Sequence, residues 1–240
     1  MTIQRYQHPS SVFLLSAAFR KSNNWPMHFL LILFFFLSIN QHASADEIAD
    51  PYEGFNRNMF SFNEVVDRYT LRPAAIIYSN ILPRFIRRGI GNVFGNVSDG
   101  VTVIHDVLQF KLGYAVKDLA RFGVNSTVGM GGIFEVASPA FNLEKHNENF
   151  GQTLRAWGVP SGPYLVLPLL GPSTIRGGVG AIGDMVIDPI QNINHSETRR
   201  STVTAKVLHD RASLLMYEDY VVGDKYLFFR EIYLQQEISG

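Results

Sequence analysis

The chain has 240 residues with 21 basic and 21 acidic side chains, no cysteine and 46% hydrophobic residues. The apolar content excludes an intrinsically disordered chain, and the zero net charge argues against a nucleic-acid-binding protein, which normally carries a basic excess. The missing cysteine excludes disulfides, thiolate zinc sites and cysteine nucleophiles, and we expect no cysteine-borne lipid. The length suggests one domain, or two small ones.

The first 45 residues differ from the rest of the chain. They hold three bases and no acid, so residues 46–240 carry a net charge of −3. Residues 29–39 (FLLILFFFLSI) are almost purely hydrophobic, and the A-x-A site Ala43-Ser44-Ala45 follows. These are the parts of a secretory signal peptide. We therefore predict a signal peptide over residues 1–45, cleaved after Ala45, and a single mature domain over residues 46–240.

Two alternatives for this segment stay open. An uncleaved anchor is one, although eleven apolar residues are fewer than the roughly 20 that a spanning helix needs. The second alternative concerns the initiation residue: the segment before the apolar core is long for a signal peptide, and Met27 is an alternative initiation residue to Met1.

The mature chain opens with a predicted helix. In the sequence DPYE, Asp50 is suited to cap the helix and Pro51 to occupy its first position. Apolar residues then recur every three or four positions, as on one helical face: Phe55, Met59, Phe62 and Val66. We predict that this helix ends near Leu71, because Pro73 disfavours the helical conformation of the residue before it.

Further helices are predicted by the same spacing. They cover residues 85–97, 101–108, 114–124, 203–214 and 226–234. Arg84, Arg87 and Arg88 cluster at the start of the first of these, where positive charge opposes the helix dipole. These arginines are therefore candidates for contact with anionic headgroups, and plain solvation is the alternative.

The middle of the chain is rich in glycine and proline. Residues 125–144 predict an apolar loop or hairpin rather than a long helix. Soluble loops are usually polar, so the apolar side chains of this loop are expected to be buried or to contact lipid. Residues 164–170 suggest an extended segment, although Pro168 argues against a central strand. The fold class predicted from these elements is mainly α.

No motif predicts catalysis. The GVGAIG sequence at residues 178–183 matches a dinucleotide fingerprint, but no βαβ pattern surrounds it, so we predict a packing or turn role. His146 with Glu148 is a weak metal or acid–base pair, and a solvated loop is the favoured interpretation. We expect neither a cofactor nor a metal, and no enzyme. The amphipathic helices fit either a soluble bundle or a membrane interface, and the apolar loops favour the interface.

Several long segments resemble the MlaA (VacJ) family of bacterial outer-membrane lipid-transport proteins. They are DPYEGFNR at residues 50–57, NSTVGMGGIFEVA at 125–137, FGQTLRAWGVPSGPYLVLPLLGP at 150–172 and STIRGGVGAIGD at 173–184, with RASLL and KYLFFREIYL near the end. The resemblance implies a ring of helices in the inner leaflet of the outer membrane around a central amphipathic channel. It further implies association with trimeric porins and transfer of misplaced phospholipid to a periplasmic lipid carrier, without bond making or breaking.

The resemblance also implies candidate site residues. The glycine loop is a candidate channel-side or gating element, and a tight turn packed on the ring is the alternative. It consists of Gly129, Met130, Gly131, Gly132, Ile133 and Phe134. Members of the family typically carry a lipidated cysteine just after the signal core, and this chain has none. A porin-associated scaffold and a lipase-like hydrolase are the competing functions.

Overall fold

A computed structural model describes residues 50–239, so the predicted signal peptide lies outside the described residues. The described chain is mainly α-helical with one two-stranded antiparallel sheet, which confirms the predicted fold class. The helices are α1 (Glu53–Val66), α2 (Arg72–Ile81), α3 (Arg84–Leu108), α4 (Leu112–Thr127), α5 (Ala137–Phe141), α6 (Phe150–Ala156), α7 (Ile175–Ile187), α8 (Ser196–Leu214) and α9 (Lys225–Ser239). Between residues 50 and 239, the helices are too short or too polar to cross a bilayer.

The start of α1 differs from the prediction. Tyr52, not Asp50, is the N-cap residue, and its side chain makes no capping hydrogen bond. Asp50 instead accepts a hydrogen bond from Asn56 Nδ2 at 2.7 Å and contacts Tyr226 and Arg230. The carboxylate therefore ties the beginning of the described chain to α9 rather than capping a helix.

The predicted helix end near Leu71 is wrong. A π-helical turn (Asp67–Leu71) follows α1, and α2 begins directly at Arg72, which has helical backbone angles of −60° and −52°. A π turn shifts the hydrogen-bonding register by one residue. Pro73 lies in the first turn of α2, at the point where the backbone hydrogen-bonding register changes, and proline has no N–H to donate there. Helical structure therefore continues past Pro73.

A β-hairpin supplies the sheet. Strand β1 (Tyr164–Leu167) pairs with β2 (Gly171–Thr174), with Tyr164 opposite Thr174. Pro168 lies in the connecting turn, so the extended segment predicted over residues 164–170 is a strand over residues 164–167. Pro172 lies inside β2, which is an edge strand of the two-stranded sheet. Asn56 on α1 holds β1 in place: its Nδ2 donates to Tyr164 O at 3.1 Å, and its Oδ1 accepts from Val166 N at 2.8 Å.

Two small apolar clusters form the core of the described residues. One joins the hairpin to α9 and α1; its buried members are Tyr164, Val166 and Tyr226. The other joins α8 to the segment before it; its buried members are Ile190, Val203 and Val207. The apolar residues Val203 and Val207 of the helix predicted over residues 203–214 are therefore buried in α8.

The GVGAIG motif lies inside α7. A Cβ on Gly180 would come within 2.5 Å of Gly151 N, and one on Gly183 within 2.6 Å of the Phe150 ring. The glycines thus allow α6 and α7 to pack with their backbones in contact. This is the packing role that the sequence predicts, on a helix rather than at a strand-to-helix turn.

Candidate functional site

The α3–α4 helix pair turns its polar side chains inward. Among the described residues, more polar or charged side chains are buried than hydrophobic ones, 14 against 12. On α3 the buried residues are Asn96, Asp99, Thr102, His105 and Asp106, and on α4 they include Asp118, Arg121 and Asn125. The exposed faces of the same pair carry large apolar residues: Ile104, Val107, Phe110, Leu112, Val116 and Leu119. A helix pair in water shows the opposite arrangement.

Ion pairs hold this inward polar face together. Arg121 Nε lies 2.9 Å from Asp99 Oδ2, and Lys145 Nζ lies 2.6 Å from the other oxygen of Asp99. Arg121 Nη1 also donates to Leu143 O at 2.6 Å. The network therefore fastens the segment after α5 onto both helices.

A second polar group links α3 to α6 and α7. His105, fully buried, lies 3.1 Å from Thr153 Oγ1 through Nδ1 and 3.1 Å from Asp184 Oδ1 through Nε2. Glu148 binds Lys111 Nζ at 2.8 Å and accepts from Gln109 Nε2 at 3.0 Å. Glu148 therefore does not pair with His146, so the weaker of the two sequence interpretations of these residues, an acid–base or metal pair, is wrong.

His146 instead lies between two buried carboxylates. Its Nε2 is 3.3 Å from Asp106 Oδ1, and its Nδ1 is 2.7 Å from Asp118 Oδ2. Burial raises the pKa of Asp118 to about 6, against the opposing influence of His146. The solvated loop favoured from the sequence is wrong for this residue, because only 24% of the His146 side chain is exposed.

A cavity of about 380 Å³ lies between α3, α6, α7, α8, α9 and the hairpin. Its lining is amphipathic. The apolar part includes Phe94, Val97, Val101, Leu167, Met185, Val207, Phe229 and Ile232, and the polar part includes Ser98, Gln152, Arg176, Asp184, Asp188, Lys206 and Glu237. Such a lining suits a ligand with a charged and an apolar end.

The charges in the cavity are held by neighbouring groups. Arg176 pairs with Glu237 and donates to Val159 O at 2.7 Å, while Lys206 pairs with Asp210 at 2.6 Å. Burial raises the pKa of Asp188 above its usual value. The polar side of the cavity is therefore preorganised and partly desolvated.

The glycine loop forms a tight, hydrogen-bonded turn after α4. Gly131 N donates to Ser126 O at 2.9 Å, Gly132 N to Asn125 O at 2.8 Å, and Asn92 Nδ2 to Ile133 O at 2.9 Å. The side chains of Met130, Ile133 and Phe134 are exposed, and no residue of this loop lines the cavity described above. The structure thus separates the loop from the cavity and presents its apolar side chains outward.

The three candidate arginines lie at the start of α3. Arg84 and Arg88 are exposed, Arg87 is half-buried, and none of them forms an ion pair within residues 50–239. The Nε atom of Arg87 is buried without a hydrogen-bond partner. Phe85, between Arg84 and Arg87, is 75% exposed, so positive charge and apolar surface lie side by side here.

Sequence reasoning missed the residues that line the cavity. They come from segments as distant in the chain as α3 and α9, and no local spacing brings such segments together. One signal was available. Arg176 is the single charged residue between Arg155 and Asp184, and an isolated charge in an apolar stretch marks a candidate polar site.

Comparison with known proteins places the chain in a described family. The family model "MlaA lipoprotein" matches residues 48–239. An uncharacterized protein of Rickettsia typhi is 36% identical over 177 residues, 73% of this chain and 70% of that protein. The intermembrane phospholipid transport system lipoprotein MlaA of Escherichia coli is 33% identical over 193 residues, 78% of this chain and 76% of that protein.

A solved structure shares the fold. It comes from work on the structural basis for maintenance of bacterial outer membrane lipid asymmetry, and it matches with a TM-score of 0.68 and 32% identity. The match covers 79% of this chain and 98% of the other. Fold and sequence therefore point to the same family.

Proposed function

The chain belongs to the MlaA lipoprotein family, and from this premise we propose that it moves phospholipid through its amphipathic cavity. In this proposal it takes mislocalised phospholipid from the outer leaflet of the outer membrane and passes it to a periplasmic lipid carrier. The transfer is non-enzymatic and maintains lipid asymmetry. The relatives named for intermembrane phospholipid transport support this proposal.

The observation that carries the proposal is the inverted α3–α4 pair. Its outward face is apolar, with Phe110 85% exposed, and its inward face holds the buried ion pair of Asp99 and Arg121. Apolar area exposed to water is unfavourable by about 25 cal/mol per Å², and the same area in hydrocarbon is not. The arrangement therefore suits a ring of helices lying in one leaflet, with lipid outside and polar groups within.

The cavity suits the two unlike parts of a phospholipid. Each CH₂ of an acyl chain gains about 0.8 kcal/mol on leaving water, and a charged headgroup is costly to place in hydrocarbon. A path whose lining combines the apolar Val97, Val101 and Phe229 with the charged Arg176 and Lys206 lowers both barriers. A passive path of this kind moves lipid only toward lower free energy, so the direction of net transport depends on what accepts the lipid.

The glycine loop and the arginines act, in this proposal, on lipid at the surface. Met130, Ile133 and Phe134 would contact acyl chains from a rigid turn, and so gate lipid entry from outside the cavity rather than line it. Arg84, Arg87 and Arg88 would contact headgroups, since basic side chains near an anionic surface contribute about 1 kcal/mol each.

We place the protein at the periplasmic side of the outer membrane, in contact with a trimeric porin. The test is whether the purified chain carries phospholipid. Detergent-purified protein is expected to retain phospholipid and to release it to a lipid carrier from labelled vesicles. Porin binding without bound or transferred phospholipid would instead support a scaffold. Formation of lyso-lipid would support a hydrolase.

A further inference from the structure

Asp106, Asp118 and His146 form a cluster that the lipid proposal does not use. Each offers one ligand atom, and these three atoms lie within 4.8 Å of one another. The residues come from three separate parts of the chain: the last turn of α3, the middle of α4, and the segment before α6. Folding alone therefore brings them together.

Both carboxylates in the cluster are buried and lie next to each other, and while both are ionised neither can donate a hydrogen bond to the other. Asp106 is 0% and Asp118 1% exposed, and the Oδ2 atoms of both lack a hydrogen bond. Asp118 Oδ2 lies 2.7 Å from His146 Nδ1, but the two atoms are not aligned for a hydrogen bond. A buried acceptor without a partner is destabilising, and more so when it is charged.

The neighbouring cations do not neutralise these carboxylates. Lys145 and Arg121 both bind Asp99, and Lys111 binds Glu148. The Lys117 ammonium lies over the Tyr114 ring, 5.6 Å from its centroid.

His146 is thus the remaining partner for two buried acids within the described residues. It carries at most one positive charge. Asp106 also lies in the last turn of α3, where the helix dipole adds further negative potential.

From this excess of negative charge and the donor set, we propose that Asp106, Asp118 and His146 bind a divalent zinc-class metal ion. His146 Nε2 and Asp106 Oδ1 are 3.3 Å apart, whereas Asp118 Oδ2 lies 2.7 Å from the other ring nitrogen, Nδ1, so Asp118 must turn toward Nε2 to share the same ion. Two ligands of one tetrahedral zinc, bound at about 2.0–2.2 Å, are separated by about 3.4 Å. Calcium is disfavoured because it takes six to eight oxygen ligands and does not use imidazole.

The ion would have a structural role. It would fix the segment carrying His146 onto α3 and α4, next to the Lys145–Asp99 contact. The Tyr114 ring covers His146 at 5.1 Å between centroids, and the partly exposed imidazole provides an entry path from solvent. This role is independent of phospholipid transport.

The test is zinc binding by the untagged full chain in detergent, stripped with a chelator and dialysed against Zn²⁺. We expect one zinc per chain. Asp118→Asn and His146→Gln should each weaken zinc affinity at least about tenfold. Removing a group that only hydrogen-bonds to a metal ligand already lowers metal affinity by about tenfold, and these variants remove a ligand itself. Zinc should also raise the thermal midpoint of the wild-type chain and leave that of the two variants unchanged.

Matched controls separate this site from adventitious binding. His195→Gln removes an exposed histidine and Asp219→Asn an exposed acid, and both should bind zinc as the wild type does. No bound zinc in the wild type, or equal binding by the cluster variants, would overturn the proposal. Should Asp118→Asn fail to fold, X-ray absorption of the wild-type zinc complex decides: one imidazole with oxygen ligands supports the site, and two imidazoles contradict it.

Discussion

Arg121 Nε donates a hydrogen bond to Asp99 Oδ2 at 2.9 Å, and both side chains are almost completely buried between α3 and α4. This pair is the centre of the inward polar face, because Lys145 binds the second oxygen of Asp99 and Arg121 also reaches Glu135. Ion pairs buried in this way are strongly destabilising to break, since the remaining charge keeps its burial and loses its partner.

Replacing Arg121 with methionine should therefore lower the free energy of unfolding by about 3 kcal/mol. This is the lower end of the range for breaking a buried ion pair, because Lys145 still binds Asp99 in the variant. The measurement is the denaturation midpoint in detergent. Lys225→Met breaks the exposed pair with Glu64 and should leave the midpoint nearly unchanged. Equal losses in the two variants would contradict a central role for Asp99–Arg121.

His209 should make stability fall as the pH drops. Burial lowers its pKa below the usual value, with Arg87, Lys206 and Asp210 as the neighbouring charges. A histidine with a depressed pKa stabilises the fold above its unfolded pKa of about 6.5, and that contribution is lost as the pH falls through the folded value. The contribution of His209 to the thermal midpoint should therefore fall between about pH 7 and pH 5, while protonation of Asp118, whose pKa burial raises to about 6, acts in the opposite direction.

The variant that tests this is His209→Asn, which keeps a polar atom near the Tyr78 hydroxyl, 3.2 Å from Nδ1 in the wild type. The variant should show a weaker pH dependence, whereas His195→Asn, at an exposed position, should behave as the wild type does. A pH profile unchanged by His209→Asn would show that another group is responsible.

The two central glycines of the loop should respond differently to alanine. Both have positive φ, +75° at Gly131 and +87° at Gly132, but a Cβ on Gly131 meets open space and one on Gly132 comes within 2.6 Å of Asn96 Cβ. Gly131→Ala should lower the free energy of unfolding by about 1 kcal/mol, because alanine is strained in a left-handed backbone conformation. Gly132→Ala should lower it clearly more, because its Cβ also clashes with Asn96.

A gating role predicts that Gly131→Ala raises outer-leaflet phospholipid in cells while the protein stays folded. Thermal midpoints and surface phospholipid are measured together on both variants. A folded Gly131→Ala protein with normal asymmetry would support a packed turn without a gating role.

The outward apolar face should control membrane retention. Phe110 is 85% and Leu112 62% exposed at the connection between α3 and α4. Glutamate at both positions should release the protein from membranes in a carbonate wash, because charge disfavours contact with hydrocarbon. Thr204→Glu, at an exposed position on α8, is the control and should stay membrane-bound. Retention of the double variant would argue against membrane contact at this face.

The sequence predicted which residues share a helical face but not which face is buried. The spacing placed Val203 and Val207 on one face of α8, and the structure shows that this face is buried. The same kind of pattern on α3 separates Ile104 from Thr102 and Asp99, but amphipathicity does not say whether water or lipid lies outside. The structure shows the polar side inward.

Site prediction failed where distant segments meet. The glycine loop was predicted from its composition as an apolar loop or hairpin, yet the cavity itself combines Val97 with Phe229, which are far apart in the chain. His146 was predicted to be solvated because its partners, Asp106 and Asp118, lie 40 and 28 positions earlier in the chain. Only tertiary packing brings such groups together, so local spacing carries no signal for them.

The most direct test of the central claim is phospholipid transfer by a chain whose cavity is filled. Ala181 lines the cavity, and Ala120 is exposed on α4. Ala181→Trp and Ala120→Trp are compared for transfer of labelled phospholipid from vesicles to a lipid carrier, after both are shown to be folded. Ala181→Trp should lose most of the transfer and Ala120→Trp should keep it. Wild-type transfer by a folded Ala181→Trp chain would contradict lipid passage through the cavity.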